Sequence, residues 1–266
     1  MTVRVRQPLL SLVLASVLGS CGCMSFLHPV EPAKIDQSAE CLTLPVGCRE
    51  HVYVFFVQGM DPLDYCNLTG VRDYVQELGF HKTYYGQMFS SGHFGREIRR
   101  IRQDDSEARF VLIGFSFGAN FVRDLTTSAG KENIPIDLLV YLGGNTLENR
   151  PEDQPENAAR IINILASGLI WNGDTLDRAE NLQEPDVWHF GTATHPHTLN
   201  LLAHELATVA ARVTYVERSI PASDIETAPT PRPIPAPTPI DKKDEWDFLK
   251  PESHLEMAKP IGTRLP

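Results

Sequence analysis

The sequence predicts an α/β fold: a doubly wound, mostly parallel sheet with helices on both faces. Two observations carry that expectation. Residues 51–57 (HVYVFFV) form a nearly continuous apolar run rich in β-branched and aromatic residues. A strand with one wet face alternates polar and apolar, so a run without alternation reads as a strand covered on both sides, the condition of a parallel sheet. Runs of this kind then recur with segments of helical spacing between them, the order that builds strand–helix–strand units.

Taken in order, the first strand ends at Gln58-Gly59. Val71, Tyr74, Val75 and Leu78 follow at helical spacing, with Asn67 or Thr69 to cap the start and Gly79 to stop the end. A short strand over 82–85 and a helix over 93–103, ended near Asp104-Asp105, come next. The strand 110–113 leads through a glycine-flanked serine into a helix from 119 to 127. Strands over 138–142 and 161–166 are separated by a polar stretch with Pro151 and Pro155. A last strand over 187–190 leads to a helix over 198–213. No internal repeat is visible.

The two ends read differently. Residues 1–20 carry Arg4 and Arg6, an apolar run over 9–18 and then small residues, which is how a secretory signal is built. The run is too short to span a bilayer. The protein is therefore expected to be exported. Leu18-Gly19-Ser20-Cys21 resembles the lipobox of bacterial lipoproteins, which implies cleavage before Cys21, lipidation of Cys21 and a membrane-anchored place in the cell envelope, in the periplasm or on the outer surface. A plain secretory signal or a short hydrophobic anchor is the alternative. Residues 21–49 read as a linker.

From 219 onward, Pro221, Pro229, Pro231, Pro233, Pro235, Pro237 and Pro239 stand among Thr, Ala and charge. Proline removes donors, and so little apolar surface cannot offset the entropy lost on ordering, so 219–266 is expected to be a disordered tail. Trp246, Phe248 and Leu249 within it are a docking segment, a short helix or simply solvated. This leaves 50–218 as one domain. The net charge of −10 argues against a nucleic-acid partner. Arg96, Arg99, Arg100 and Arg102 read as the solvated face of one helix. Beyond Cys21, the cysteines are Cys23, Cys41, Cys48 and Cys66. Export permits disulfides, and Cys41 with Cys48 across Pro45-Val46-Gly47 is one way to close a small loop, with the pairing left open.

The chemistry centres on Gly114-Phe115-Ser116-Phe117-Gly118. A serine hydroxyl attacks a carbonyl only if it is exposed, has an adjacent base and faces donors for the developing oxyanion. Small residues two before and two after it permit a sharp strand-to-helix bend that exposes it. The competing reading is a glycine-rich turn that binds phosphate at a helix N-terminus. It fits poorly, because no lysine follows the glycines and GxGxxG is absent.

The strand before Ser116 and the helix after it make 50–218 resemble the α/β-hydrolase superfamily, in a compact form with little or no lid. The resemblance implies that the Phe117 N–H is one oxyanion donor. Its partner comes from the loop after an earlier strand, usually written His-Gly. Here that loop is Val57-Gln58-Gly59-Met60-Asp61-Pro62, so the Met60 N–H matches, while Gln58 departs from the histidine.

Four histidines, His189, His195, His197 and His204, crowd the end of the domain. The family order is Ser, acid, His. Ala179-Glu180-Asn181 ahead of His189 resembles the small bacterial lipases, where an Ala-x-Asn stretch precedes the catalytic histidine, and selects His189 as the base. His195, in Thr194-His195-Pro196-His197, is second, and His204 falls on the final helix. The acid that orients the imidazole is expected after the strand 161–166, where Asp174 is best placed. Asp177 and Glu148 are the alternatives.

A zinc reading groups His189, His195, His197, His204 and Glu205. It lacks an HExxH spacing and leaves the serine turn unexplained, so neither metal nor cofactor is expected. The expectation is a serine esterase or lipase-like hydrolase acting on carboxylester or lipid ester substrates. The short span 143–160 offers little room for a lid. The alternative is a non-catalytic lipoprotein with this fold, acting as a binding or scaffold module in the cell envelope. Gln58 and the open choice of acid keep that alternative in play.

Overall fold

The computed structural model describes residues 27–31, 38–143, 148–168 and 171–214. All lie in the first of two compact units, Met1–Glu217. The signal segment, Cys21, Cys23 and the tail 219–266 lie outside the described residues. Among the described residues, no helix is long and apolar enough to cross a membrane.

Six strands form one sheet: β1 (Val52–Gln58), β2 (Thr83–Gln87), β3 (Arg109–Phe115), β4 (Leu138–Leu142), β5 (Ile161–Leu165) and β6 (Glu180–Gln183). Their order is β2-β1-β3-β4-β5-β6. Every pairing is parallel, with Val54 opposite both Thr83 and Val111, and Val57 opposite Gly114. The expected doubly wound sheet is thus present. Among the described residues, six helices accompany it: α1 (Ser38–Thr43), α2 (Val46–Glu50), α3 (Leu68–Glu77), α4 (Ser91–Asp104), α5 (Gly118–Lys131) and α6 (Pro196–Ala210).

The two faces explain the unbroken apolar runs. Val52, Val54 and Phe56 of β1, with Val111, Ile113 and Phe115 of β3, pack under Leu68, Val71 and Val75 of α3 and Leu199, Leu202 and Leu206 of α6. The intervening Phe55, Val57, Phe110 and Leu112 pack under Phe94, Ile98 and Ile101 of α4 and Val122 and Leu125 of α5. Successive strand residues point to opposite faces, so covering both faces demands apolar side chains at every position. Each such side chain, fully buried, stabilises by about 1.5–3 kcal/mol.

Local signals hold at α3. Asn67 caps it, its side chain accepting from the Gly70 N–H at 3.0 Å, and Gly79 at φ +92 ends it. The last strand differs from the expectation. Residues 187–190 do not form it: the edge strand is β6, and His189–Gly191 is a single 3₁₀ turn. The aromatic residues that suggested a strand pack on one another instead, Phe190 with Tyr65 at 5.0 Å between ring centres and with Trp188 at 5.1 Å. The true strand, Glu-Asn-Leu-Gln, is mostly exposed and has no apolar run to read. Asn163 and Asn181 set its register, paired side chain to side chain at 3.0 Å.

The linker also differs, since α1 and α2 lie within 21–49 and its edge. Cys41 and Cys48 are buried. The Cys41 thiol donates to the Ala203 carbonyl of α6 at 3.0 Å, within the core. Cys41, Cys48 and Cys66 carry no disulfide.

The strand order positions the site. From β1 the chain runs to β2 on one side and returns to β3 on the other. The connections leaving β1 and β3 therefore diverge, opening a crevice at their carboxyl ends, where ligands of open α/β sheets bind.

Candidate active site

Ser116 sits at that crevice, one residue past β3, with φ +53. An L residue in this left-handed region costs about 1–2 kcal/mol and persists only where its surroundings hold it. Here the Ser116 N–H donates to the Leu142 carbonyl of β4 at 2.8 Å, and the Ser116 carbonyl accepts from Ala119 at 3.0 Å. The flanking glycines are required by close approach. A Cβ on Gly114 would lie 2.6 Å from the Gly118 carbonyl oxygen, and one on Gly118 would lie 2.2 Å from that of Val57. Gly59 is as tight, since its Cβ would meet the Phe117 nitrogen at 2.8 Å. The turns carrying the Met60 and Phe117 amides are thus neighbours. The Phe117 turn opens α5, whose N-terminal dipole favours negative charge.

A cleft of about 360 Å³ is bounded by Met60, Ser116, Phe117, Trp171, His189 and Phe190. It brings together four residues selected from the sequence: Ser116, Phe117, Met60 and His189. The remaining walls are aromatic.

Gln58 shows how this chain manages without the usual histidine. It is wholly buried, and its Nε2 donates to the Asp61 carbonyl at 3.3 Å, Asp61 Oδ2 at 3.1 Å and Asp64 Oδ1 at 3.1 Å. Asp61 also accepts from the Tyr65 and Cys66 N–H groups, and Asp64 from that of Leu68 at the start of α3. The loop carrying Met60 is thereby tied to the helix after it. Asp61, Asp64 and Cys66 lie close enough together to hold a cation. Their acceptor atoms, however, are already engaged by N–H groups, which makes the cluster a helix cap. Burial pushes the Cys66 thiol well up.

His189 is buried, its ring 5.0 Å from that of Phe115 and 5.6 Å from that of Trp171. Nδ1 lies 3.1 Å from the Trp171 carbonyl oxygen. Burial lowers its pKa from the ordinary 6.5, opposed by the backbone at Trp171 and Gly143 and then by the charge of Asp61. Among the described residues, no carboxylate is bonded to this ring. Asp174 is exposed, and its main-chain carbonyl accepts from Asn163 Nδ2 at 2.7 Å. Asp177 is exposed, its N–H donating to Asn149. Glu148 is exposed and paired with Arg150.

His195 stands outside the cleft, capping α6. Its Nδ1 is 2.8 Å from Oε2 of the fully buried Glu184, at ion-pair distance but without hydrogen-bond alignment, and His197 Nδ1 is 3.5 Å from the same oxygen. His204 is exposed, and Glu205 pairs with Arg160 at 2.7 Å. Among the described residues, the five of the zinc reading do not come together as one group of ligands. Trp171 and Asp61 belong to the site or its surroundings and were not singled out by sequence. Only Asp61, which with Asp64 brackets a turn just before a helix, left a signal there, that of a cap. No protein-family model matches this chain, and a search of curated proteins finds no match.

Proposed function

We propose that the protein is a serine hydrolase of carboxylic or lipid esters, with Ser116 as nucleophile and His189 as base. The observation that carries this reading is the left-handed Ser116 at a strand-to-helix turn, in one cleft with a buried histidine. The Ser116 proton passes to His189 as the oxygen attacks the ester carbonyl, the Phe117 and Met60 N–H groups hold the oxyanion, and water releases the acyl group. Nothing in this scheme calls for a cofactor. Met60, Phe117, Trp171 and Phe190 favour an apolar acyl or alcohol portion in the substrate. Export and anchoring through Cys21 belong to the same proposal and place the hydrolase in the cell envelope.

A binding or scaffold module is the second reading, favoured by the absence, among the described residues, of a carboxylate on His189. Fluorophosphonate labelling of the full chain decides. The hydrolase takes the label, loses it in Ser116→Ala and turns over a panel of esters. A folded wild type that takes no label favours the module.

A further inference from the structure

We infer that His189 is oriented by main-chain carbonyls, chiefly that of Trp171, so that the site works as a Ser116–His189 dyad with Trp171 as positioning residue and no carboxylate on the ring. This rests on the hydrolase reading and refines it. A carbonyl oxygen only accepts, so a ring nitrogen 3.1 Å from it must carry the proton. With Nδ1 protonated, Nε2 keeps its lone pair for the Ser116 hydroxyl, the tautomer that a triad's acid enforces.

The ring is also clamped without help from an acid. A Cβ on Gly143, itself at φ +71, would lie 2.9 Å from His189 Cε1 and Nδ1. Phe115, Trp171 and Phe190 surround the ring at 5.0, 5.6 and 5.1 Å.

The carboxylates nearest in sequence or space are committed elsewhere. Asp61 holds Gln58 and the N–H groups of Tyr65 and Cys66. Glu184 faces His195 and Thr198. Asp186, three residues before His189, is exposed, as are Asp174, Asp177 and Glu148. Trp171 is itself in the left-handed region, φ +61, two residues before Gly173 at φ +79. It is half exposed, so burial does not explain a tryptophan there. Its backbone turns a carbonyl onto His189 while its indole lines the cleft.

The proton inventory closes. The Ser116 proton moves to Nε2 as the Oγ–carbon bond forms, and the imidazolium returns it to the departing alkoxide as the carbon–oxygen bond breaks. Water repeats the sequence in deacylation. What the carbonyls do not supply is a full negative charge; the charge of Asp61, in the loop after β1, favours the imidazolium. His28, beside Gly191, and Tyr65, packed on Phe190, are further titratable groups nearby.

The test uses the full chain labelled with ¹⁵N-histidine, with the His189 signals assigned by their loss in His189→Gln. The expected result at neutral pH is a proton on Nδ1 and a bare Nε2; a proton on Nε2 overturns the proposal. Fluorophosphonate labelling rates of Asp174→Asn, Asp177→Asn, Glu148→Gln and Glu184→Gln are expected within about threefold of wild type, whereas losing a triad acid costs on the order of 10⁴-fold. A loss of that size in any one of them also overturns it.

Trp171→Gly keeps the left-handed backbone, and its kcat is expected within about tenfold of wild type, with a raised KM for apolar esters. Trp171→Val disfavours that backbone and is expected to lose about 100-fold in kcat and to mix the tautomers. Wild-type kcat and tautomer in Trp171→Val would refute the positioning role. A folded wild type that takes no label sinks the hydrolase reading and the dyad with it; a labelled wild type with Nε2 protonated sinks the dyad alone.

Discussion

Replacing Gly118 by alanine tests the packing that creates the serine turn. The new Cβ would lie 2.2 Å from the Val57 carbonyl oxygen, 3.0 Å from the Val57 carbonyl carbon and 3.1 Å from that of Gln58. Carbon atoms pack comfortably at about 3.5–4.0 Å, so the start of α5 and the end of β1 must part by about 1 Å. No side chain can rotate away, because all three atoms are backbone of the buried β1 strand or its end. Overpacking of this kind costs about 1–3 kcal/mol and more where nothing yields, so about 3 kcal/mol is expected.

For a domain of this size that corresponds to a fall in Tm of roughly 6–12 °C. Because Gly59 packs on the same turn, the Met60 amide moves with β1, and kcat should fall as well. Gly95→Ala is the control. Its Cβ meets only Leu125 Cδ2, at 3.6 Å, inside α4. There alanine should stabilise by about 0.5–1 kcal/mol. Thermal unfolding of both variants beside wild type decides, and a Gly118→Ala protein that melts with wild type would refute the account of the turn.

Two further outcomes follow from buried groups. His189 has a folded pKa below its unfolded value of 6.5, as does His28, so the unfolded chain binds more protons just below that pH. Their contribution to stability is therefore complete above pH 6.5 and is lost as the pH falls; urea midpoints measured against pH should drop on that side, with a shallower slope in His189→Gln. The acidic limb of kcat/KM should likewise lie below the value of an ordinary histidine. Arg123 Nη1 holds the buried Asp153 carboxylate at 2.8 Å. Arg123→Met should cost about 3 kcal/mol by stranding that charge, and adding Asp153→Asn should recover most of it, both read from urea unfolding.

By itself, the sequence determined the parts whose signal is carried by side chains along the chain. Strands covered on both faces need apolar residues at every position, so β1, β3, β4 and β5 were legible as unbroken runs. The glycines around Ser116 were legible because only a missing Cβ lets β1, β3 and α5 approach so closely. Tertiary structure decided what side-chain pattern does not encode. The polar edge strand β6 exists because β5 offers it a ladder, and the aromatic run mistaken for a strand is a packed turn around His189. Cys41 and Cys48 lie on two short helices that the linker reading did not contain, and neither carries a disulfide. The partner of His189 is the clearest case. A search for an acid looks for a carboxylate, but every residue carries a carbonyl, and only the folded path through Trp171 brings one of them to Nδ1.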